Sequence, residues 1–144
     1  MSRSEPESRL AYRQFVRLTT RWMDNDIYGH LNNVVYYSLF DTAVNQTLIA
    51  AGVLDIHQGQ VIGLVVETHC SYFAALAFPQ GVEAGLRVAQ LGQSSVRYEI
   101  GLFGEGQALC AAQGHLVHVY VDKQSRRPVP LPDPLRNFLQ GLRA

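Results

Sequence analysis

The sequence DNDIYGHLNNVVYYSLFDTAVNQTLIAA, residues 24–51, joins a polar loop to a long and largely apolar segment. The loop is rich in Asp, Asn and Gly, which form turns because they bond nearby backbone groups or tolerate unusual backbone angles. Residues 34–51 predict a helix, since Asn32 or Asn33 can cap its start and Gly52 can close its end. Apolar residues cover so much of this helix that we expect other elements to wrap around it.

The segments around the helix predict β-strands. An imperfect alternation of apolar and polar residues predicts one strand before the helix, over residues 11–21. Four strands are predicted after it, at residues 60–75, 81–91, 95–103 and 108–122. Glycine-containing turns separate the later strands, as expected for hairpins. A proline-rich exit segment and a short helix over residues 134–142 complete the chain.

This order of elements predicts an α+β fold. A curved antiparallel sheet wrapped around one long central helix would bury that helix on most sides. The arrangement leaves sheet edges and one helix face open, which favours dimerisation. Because no linker or repeat divides the chain, we expect residues 11–144 to form a single domain, preceded by a mobile tail over residues 1–10.

Composition narrows the class of protein. With 144 residues, 47% of them hydrophobic, the chain can bury a substantial core. Zero formal net charge and only 12 Lys and Arg argue against nucleic-acid binding, which needs a basic face. No apolar run approaches the roughly 20 residues of a membrane span, and the polar start shows no secretory signal. Two cysteines make no disulfide framework, so we expect a cytoplasmic protein without a membrane partner.

The loop before the helix is the best candidate for a catalytic site. The first N–H groups of a helix are unpaired and carry partial positive charge, so they can polarise a carbonyl and stabilise an oxyanion. A carboxylate one loop away can attack that carbonyl or activate a water molecule. These two parts suffice for hydrolysis of an acyl group. Since Asp and Asn are ordinary in turns, composition alone favours a solvated turn with two caps.

The residues that follow carry a more specific signal. The run Asp26-Ile27-Tyr28-Gly29-His30-Leu31-Asn32-Asn33-Val34-Val35-Tyr36-Tyr37 resembles the signature of the 4-hydroxybenzoyl-CoA thioesterase-like family, a branch of the hotdog-fold acyl-CoA thioesterases. The order of elements resembles that family from Phe15 to about Leu131. The resemblance implies a hotdog fold, with a five-stranded antiparallel sheet around the helix. It also implies a homodimer with active sites at the subunit interface, and family behaviour extends this to a tetramer of two dimers.

Position by position, the resemblance assigns roles to single residues. Asp26 matches the family's catalytic carboxylate, and Asn33 matches the residue at the helix start whose backbone N–H polarises the thioester carbonyl. Gly29 matches a loop glycine and Tyr36 an aromatic residue on the first helical turns, so both are assigned to the substrate site. Asp24 is the competing acid, but the match runs through Asp26 into the Gly-His motif.

Three further polar residues lie close to this run. The resemblance implies that His30 orders the loop at the substrate site, with catalysis as a base the weaker alternative. Asn32 is expected to cap the helix. Asp41 lies on the polar stripe of the helix, where we expect hydrogen-bond partners because an unpaired buried carboxylate is costly.

A second candidate binding region follows the turn at Gly92. Ser94, Ser95 and Arg97 lie near the strand that, in related thioesterases, lines the acyl or CoA channel. An arginine can bind CoA phosphates through paired hydrogen bonds. The alternative is the end of a hairpin that carries a solvated arginine.

The histidines give no indication of a metal site. His115 and His118 are three residues apart in a predicted strand, so their side chains point to opposite faces. His57 and His69 lack companions at ligand spacing. We therefore expect neither a metal nor any other cofactor.

The leading hypothesis is a homo-oligomeric acyl-CoA thioesterase that hydrolyses its substrate to the free acid and CoA. Asp26 would act as nucleophile or general base, and the Asn33 N–H would hold the carbonyl oxygen. A non-catalytic module that binds or senses acyl-CoA on the same scaffold is the alternative. A hydratase or dehydratase of related fold is a third. Such enzymes typically use a histidine with an acidic partner, and His30 is the only histidine near the site, but the motif around it resembles the thioesterases instead.

Overall fold

The fold was analysed in a computed structural model, which describes residues 5–144. Two α-helices, two short 3₁₀-helices and five strands follow one another along this part of the chain. In chain order they are a 3₁₀-helix Arg9–Ala11, β1 Gln14–Leu18, a 3₁₀-helix Trp22–Asp24, α1 Asn33–Ala50, β2 Val61–Tyr72, β3 Val82–Leu91, β4 Ser95–Gly104, β5 Ala112–Asp122 and α2 Asp133–Gln140.

The five strands form one antiparallel sheet in the order β1-β3-β4-β5-β2. Strands β3, β4 and β5 follow one another directly, whereas β2 pairs with β5 at one edge and β1 with β3 at the other. Alternate side chains of the inner strands pack with α1 into the main core. The structure thus confirms the predicted α+β hotdog fold.

Helix α1 fills the inside of the curved sheet. The Asn32 side chain accepts a hydrogen bond from the Val34 N–H and caps the start, while Gly52 adopts a φ of +74° just beyond the end. Phe40 is fully buried against the inner sheet face. Truncating such a side chain to alanine costs about 3–5 kcal/mol of stability, so Phe40 is a principal anchor of the helix.

Helix α2 packs back on the sheet near β3 through Leu135 and Leu139, both of them buried. It begins one residue earlier and ends two residues earlier than the sequence predicts. Neither α1 nor α2 has the combination of length and apolar character that a membrane-spanning helix needs, within residues 5–144.

The N-terminal segment, over which the sequence predicts a mobile tail at residues 1–10, contacts the sheet. Residues 1–4 of that prediction lie outside the described residues. From Glu5 onward the chain lies across the outer sheet face, where Glu7 pairs with Arg87 at 2.8 Å and the Cys110 N–H donates to the Glu7 carbonyl. Tyr12 packs edge-on against Phe103 in a second, smaller apolar cluster. Arg87 and Cys110 are 80 and 103 residues from Glu7 in sequence, so local sequence did not indicate these two contacts.

Candidate functional site

The loop between the second 3₁₀-helix and α1 folds on itself through main-chain bonds. The Asp26 N–H donates to the His30 carbonyl at 2.9 Å, and the Gly29 N–H donates to the Asp26 carbonyl at 3.1 Å. Gly29 adopts a φ of +83°, a conformation that residues with a side chain rarely take. This glycine closes the turn and so places the Asp26 side chain.

The same loop is docked on the segment that follows β2. The Leu31 N–H donates to the Leu76 carbonyl at 2.7 Å, and the Phe78 N–H donates to the Asn25 side chain at 2.9 Å. These bonds join two parts of the chain about fifty residues apart. The position of the loop is therefore set by the segment after β2 as well as by α1.

The two acids of the loop have different surroundings. The Asp24 carboxylate is buried and accepts hydrogen bonds from the Arg21 backbone N–H and from Nε and Nη2 of the Arg21 guanidinium. The Asp26 carboxylate accepts one bond from the Tyr28 N–H and opens into a cavity. Asp24 thus holds the backbone, and Asp26 is the acid available for chemistry.

Helix α1 presents one unused donor beside this acid. The Val34 N–H is bound by the Asn32 side chain, and the Val35 N–H is bound by the Asn32 carbonyl. Among residues 5–144, the Asn33 N–H has no hydrogen-bond acceptor. This N–H carries the partial positive charge of the helix start and is the donor that a ligand carbonyl can use.

Asp26 and Asn33 line one cavity of about 450 Å³, a size typical of ligand pockets. Four of the predicted site residues meet there: Asp26, His30, Asn33 and Tyr36. Gly29 shapes the loop without lining the cavity. The remaining walls come from residues that sequence reasoning missed: Leu31, Tyr72, Phe73, Ala74 and Ala75. Apart from Leu31, they lie at and beyond the end of β2, where no local motif marks them.

His30 lines the cavity beside Asp26 and Tyr28. Its Nδ1 lies 3.6 Å from the Asp26 carboxylate, and its ring stacks against Tyr28 with 6.3 Å between the ring centroids. Its backbone carbonyl accepts the Asp26 N–H. The residue therefore contacts Asp26 through both its main chain and its side chain.

Two tyrosines form the aromatic part of the cavity. The rings of Tyr36 and Tyr72 meet edge to face with 4.9 Å between centroids. The Tyr72 hydroxyl is hydrogen-bonded to the Asn33 side-chain oxygen. Desolvation raises the pKa of both phenols above the usual value of 10.0.

Ser94, Ser95 and Arg97 do not line this cavity. Ser95 pairs with Val119 of β5, whereas Tyr72 pairs with Ala112. Seven residues along a strand separate these two rows by roughly 24 Å. Arg97 lies on the outer sheet face, where it donates to His115 at 3.1 Å and lies 3.7 Å from Glu99.

The histidines divide between the two faces of β5, as the strand spacing predicts. His118 is buried in the core beside Tyr98 and Tyr120, and burial lowers its pKa to about 4. His115 lies on the outer face and stacks with His69, with 5.4 Å between the ring centroids. Within residues 5–144, no three His, Cys, Asp or Glu side chains converge in a way that could hold a metal ion.

Comparison with solved structures supports the same architecture. The PA5185 protein from Pseudomonas aeruginosa strain PAO1 is 56% identical, with a TM-score of 0.95 over 97% of this chain and 98% of that one. A 1,4-dihydroxy-2-naphthoyl-CoA thioesterase from Synechocystis is 16% identical, with a TM-score of 0.78 over 88% and 94% of the two chains. A DHNA-CoA thioesterase from Staphylococcus aureus is 17% identical, with a TM-score of 0.77 over 88% and 86%. At these lower identities the likeness concerns the fold alone.

A search of curated proteins found no match. The sequence model of the thioesterase-like superfamily matches residues 20–139, which include the loop, α1 and strands β2 to β5. On this match over most of its length, the chain belongs to the thioesterase-like superfamily.

Proposed function

We propose that this protein is an acyl-CoA thioesterase of the 4-hydroxybenzoyl-CoA thioesterase-like type. One observation carries the proposal: the Asp26 carboxylate and the unused Asn33 N–H line the same cavity. A thioester carbonyl bound at that N–H would be polarised, and its carbon would face an acid able to react with it. Membership of the thioesterase-like superfamily supports the reaction type.

The reaction consumes one water and yields a carboxylic acid and the CoA thiol. As a nucleophile, Asp26 attacks the carbonyl carbon, the C–S bond breaks, CoA thiolate leaves, and water hydrolyses the resulting anhydride. As a general base, Asp26 takes a proton from water, which attacks the same carbon directly. In both routes the developing oxyanion is stabilised by the Asn33 N–H, and the thiolate finally takes up a proton released from water.

We further propose that the working unit is a homodimer joined through β2. Within residues 5–144 this strand has a hydrogen-bonded neighbour on one side only, β5. Its apolar side chains are exposed at the edge, with Val66 60% and Val65 48% accessible. An apolar edge of this kind is a template for strand pairing with a second copy. Two such dimers could associate into the tetramer that the resemblance implies.

In such a dimer, Ser94, Ser95 and Arg97 of one subunit lie near the cavity of the other. The hairpin that contains Ser94 and Ser95 lies at the Val61 end of the sheet, opposite the Tyr72 end. Antiparallel pairing of two β2 strands brings the Val61 end of one subunit beside the Tyr72 end of the other. The proposed contribution of these residues to CoA binding is therefore made across the subunit interface.

Because CoA esters are metabolites of the cell interior and both cysteines are free thiols, we place the reaction in the cytoplasm.

Thiol release from short-chain, medium-chain, long-chain and aryl-CoA esters tests the proposal. We expect release of one CoA per acid formed, with the preferred ester identifying the acyl class. Tight binding of these esters without any thiol release would instead establish the binding or sensing module. If no ester is either bound or hydrolysed, both the thioesterase and the binding or sensing module are rejected.

A further inference from the structure

Asn33 is held through its side chain as well as through α1. The Tyr72 hydroxyl donates to the Asn33 Oδ1 atom, which links the last residue of β2 to the first residue of α1. The Tyr72 ring is itself fixed edge-on against Tyr36, with 4.9 Å between ring centroids, and Tyr36 is buried. The orientation of the Asn33 amide is thus set from outside the helix.

This orientation has a consequence for the amide nitrogen. A carboxamide carries its oxygen and its NH₂ group on opposite sides of one carbon, so an oxygen directed at Tyr72 turns the NH₂ group away from it. The Asn33 Nδ2 atom has no acceptor among residues 5–144, and the side chain lines the cavity together with Asp26. Two N–H donors of the amide therefore remain for a ligand, next to the free main-chain N–H of the same residue.

We propose that the Asn33 side-chain amide is a second hydrogen-bond donor to the thioester oxygen, and that Tyr72 is the positioning residue that orients it. This inference rests on the proposed thioesterase function. An oxyanion is stabilised best by two or more preorganised donors, and a single main-chain N–H supplies only one. Near neutral pH the Tyr72 phenol is protonated and can donate, and partial desolvation raises its pKa further.

The experiment separates the side chain from the backbone. Asn33→Ala keeps the main-chain N–H and removes the amide, and we expect kcat to fall about 10²-fold with a much smaller change in KM. Asn33→Asp keeps the oxygen that Tyr72 binds but removes the NH₂ donors, and we expect an equal or larger loss. Asn45→Ala, elsewhere on α1 and outside the cavity, is the matched control and should retain wild-type kcat.

Tyr72 is tested through its coupling to Asn33. Tyr72→Phe keeps the aromatic wall and removes the hydroxyl, so kcat should fall about tenfold in the wild-type background, the effect of one hydrogen bond. In the Asn33→Ala background the same substitution should have no further effect. Equal losses in the two backgrounds would show that Tyr72 does not act through Asn33, and wild-type kcat in Asn33→Ala would overturn the role of the amide.

A measurement without turnover distinguishes failure of this inference from failure of the proposed function. The probe is an acyl-CoA analogue in which a methylene group replaces the thioester sulfur, so that it is a ketone and is not hydrolysed. Its carbonyl carbon is labelled with ¹³C. Binding should shift its carbonyl stretch to lower frequency, and Asn33→Ala should lose part of that shift. Absence of thiol release from every ester would reject the thioesterase reaction. An unchanged infrared shift in Asn33→Ala would reject the amide contact, whether or not the wild-type protein turns over.

Discussion

The carboxylates of Asp24 and Asp26, two residues apart in one loop, lie in separate environments. Asp24 is 3% exposed and bound by Arg21, and it borders the groove between β1 and α1. Asp26 opens into the cavity that begins at the first turn of α1. This division predicts different consequences for loss of each acid.

Substitution of Asp26 should affect catalysis and leave the fold intact. Asp26→Asn retains the hydrogen bond from the Tyr28 N–H but cannot attack a carbonyl or take a proton, so we expect kcat to fall about 10²–10⁴-fold. Thiol release measured beside thermal unfolding checks both parts. Asp133→Asn, an exposed acid at the start of α2, is the control and should retain full activity. Near-normal thiol release by Asp26→Asn would exclude this residue from the mechanism.

Substitution of Asp24 should instead weaken the fold. Asp24→Ala leaves the Arg21 N–H without its side-chain acceptor and removes the ion pair, with an expected loss of about 1–3 kcal/mol in the free energy of unfolding. Urea denaturation measures this loss. Glu105→Ala, which removes an exposed ion pair with Arg17, is the control and should change stability by less than about 1 kcal/mol. A stable Asp24→Ala protein that lacks activity would reverse our assignment of the two acids.

A charge at the exposed edge of β2 should prevent dimer formation. Val66→Lys places an ammonium group in an interface that we expect to be apolar, where burial of an unpaired charge is costly. Light scattering should then report the monomer mass of 16.0 kDa instead of twice that value, with a parallel fall in thiol release. Leu109→Lys, an exposed apolar residue away from this edge, is the control. A Val66→Lys protein that stays dimeric would show that the subunits associate through another surface.

The buried His118 should make stability depend on pH. Its pKa falls from 6.5 to about 4 in the folded chain, mainly through desolvation, with the nearby Asp41 acting in the opposite direction. The unfolded chain therefore binds the proton first. The contribution of neutral His118 is complete above about pH 6.5 and is lost as the pH falls towards 4, by about 3 kcal/mol in total.

Comparison with His118→Gln isolates this contribution. The difference in unfolding free energy between wild type and variant should shrink as the pH is lowered from 7 to 4.5, as followed by urea denaturation. His57→Gln, which removes an exposed imidazole, is the matched control and is measured under the same conditions. A constant difference for His118→Gln would mean that the buried ring is not the source of the dependence.

Much of this protein follows from interactions between residues close in sequence. The helix cap at Asn32, the glycine turn at Gly29 and the length of α1 depend on local hydrogen bonds and local backbone preference, so sequence reasoning predicted them. The same holds for the strand alternation that separates His115 from His118. The choice of Asp26 over Asp24 as the catalytic acid stays a prediction, which the Asp26→Asn and Asp24→Ala variants test.

Other features depend on which distant segments meet. Only the register of β2 against β5 and the return of the chain to the loop place Tyr72 beside Asn33, 39 residues away. The pairing of Glu7 with Arg87 and the outer-face position of Arg97 likewise depend on sheet topology. By itself, the sequence determined the secondary-structure elements and their order, because short-range bonds specify them. Tertiary structure alone decided which aromatic residues line the cavity, how Tyr72 binds the Asn33 side chain and where the N-terminal segment contacts the sheet. Those contacts form only once the sheet is assembled.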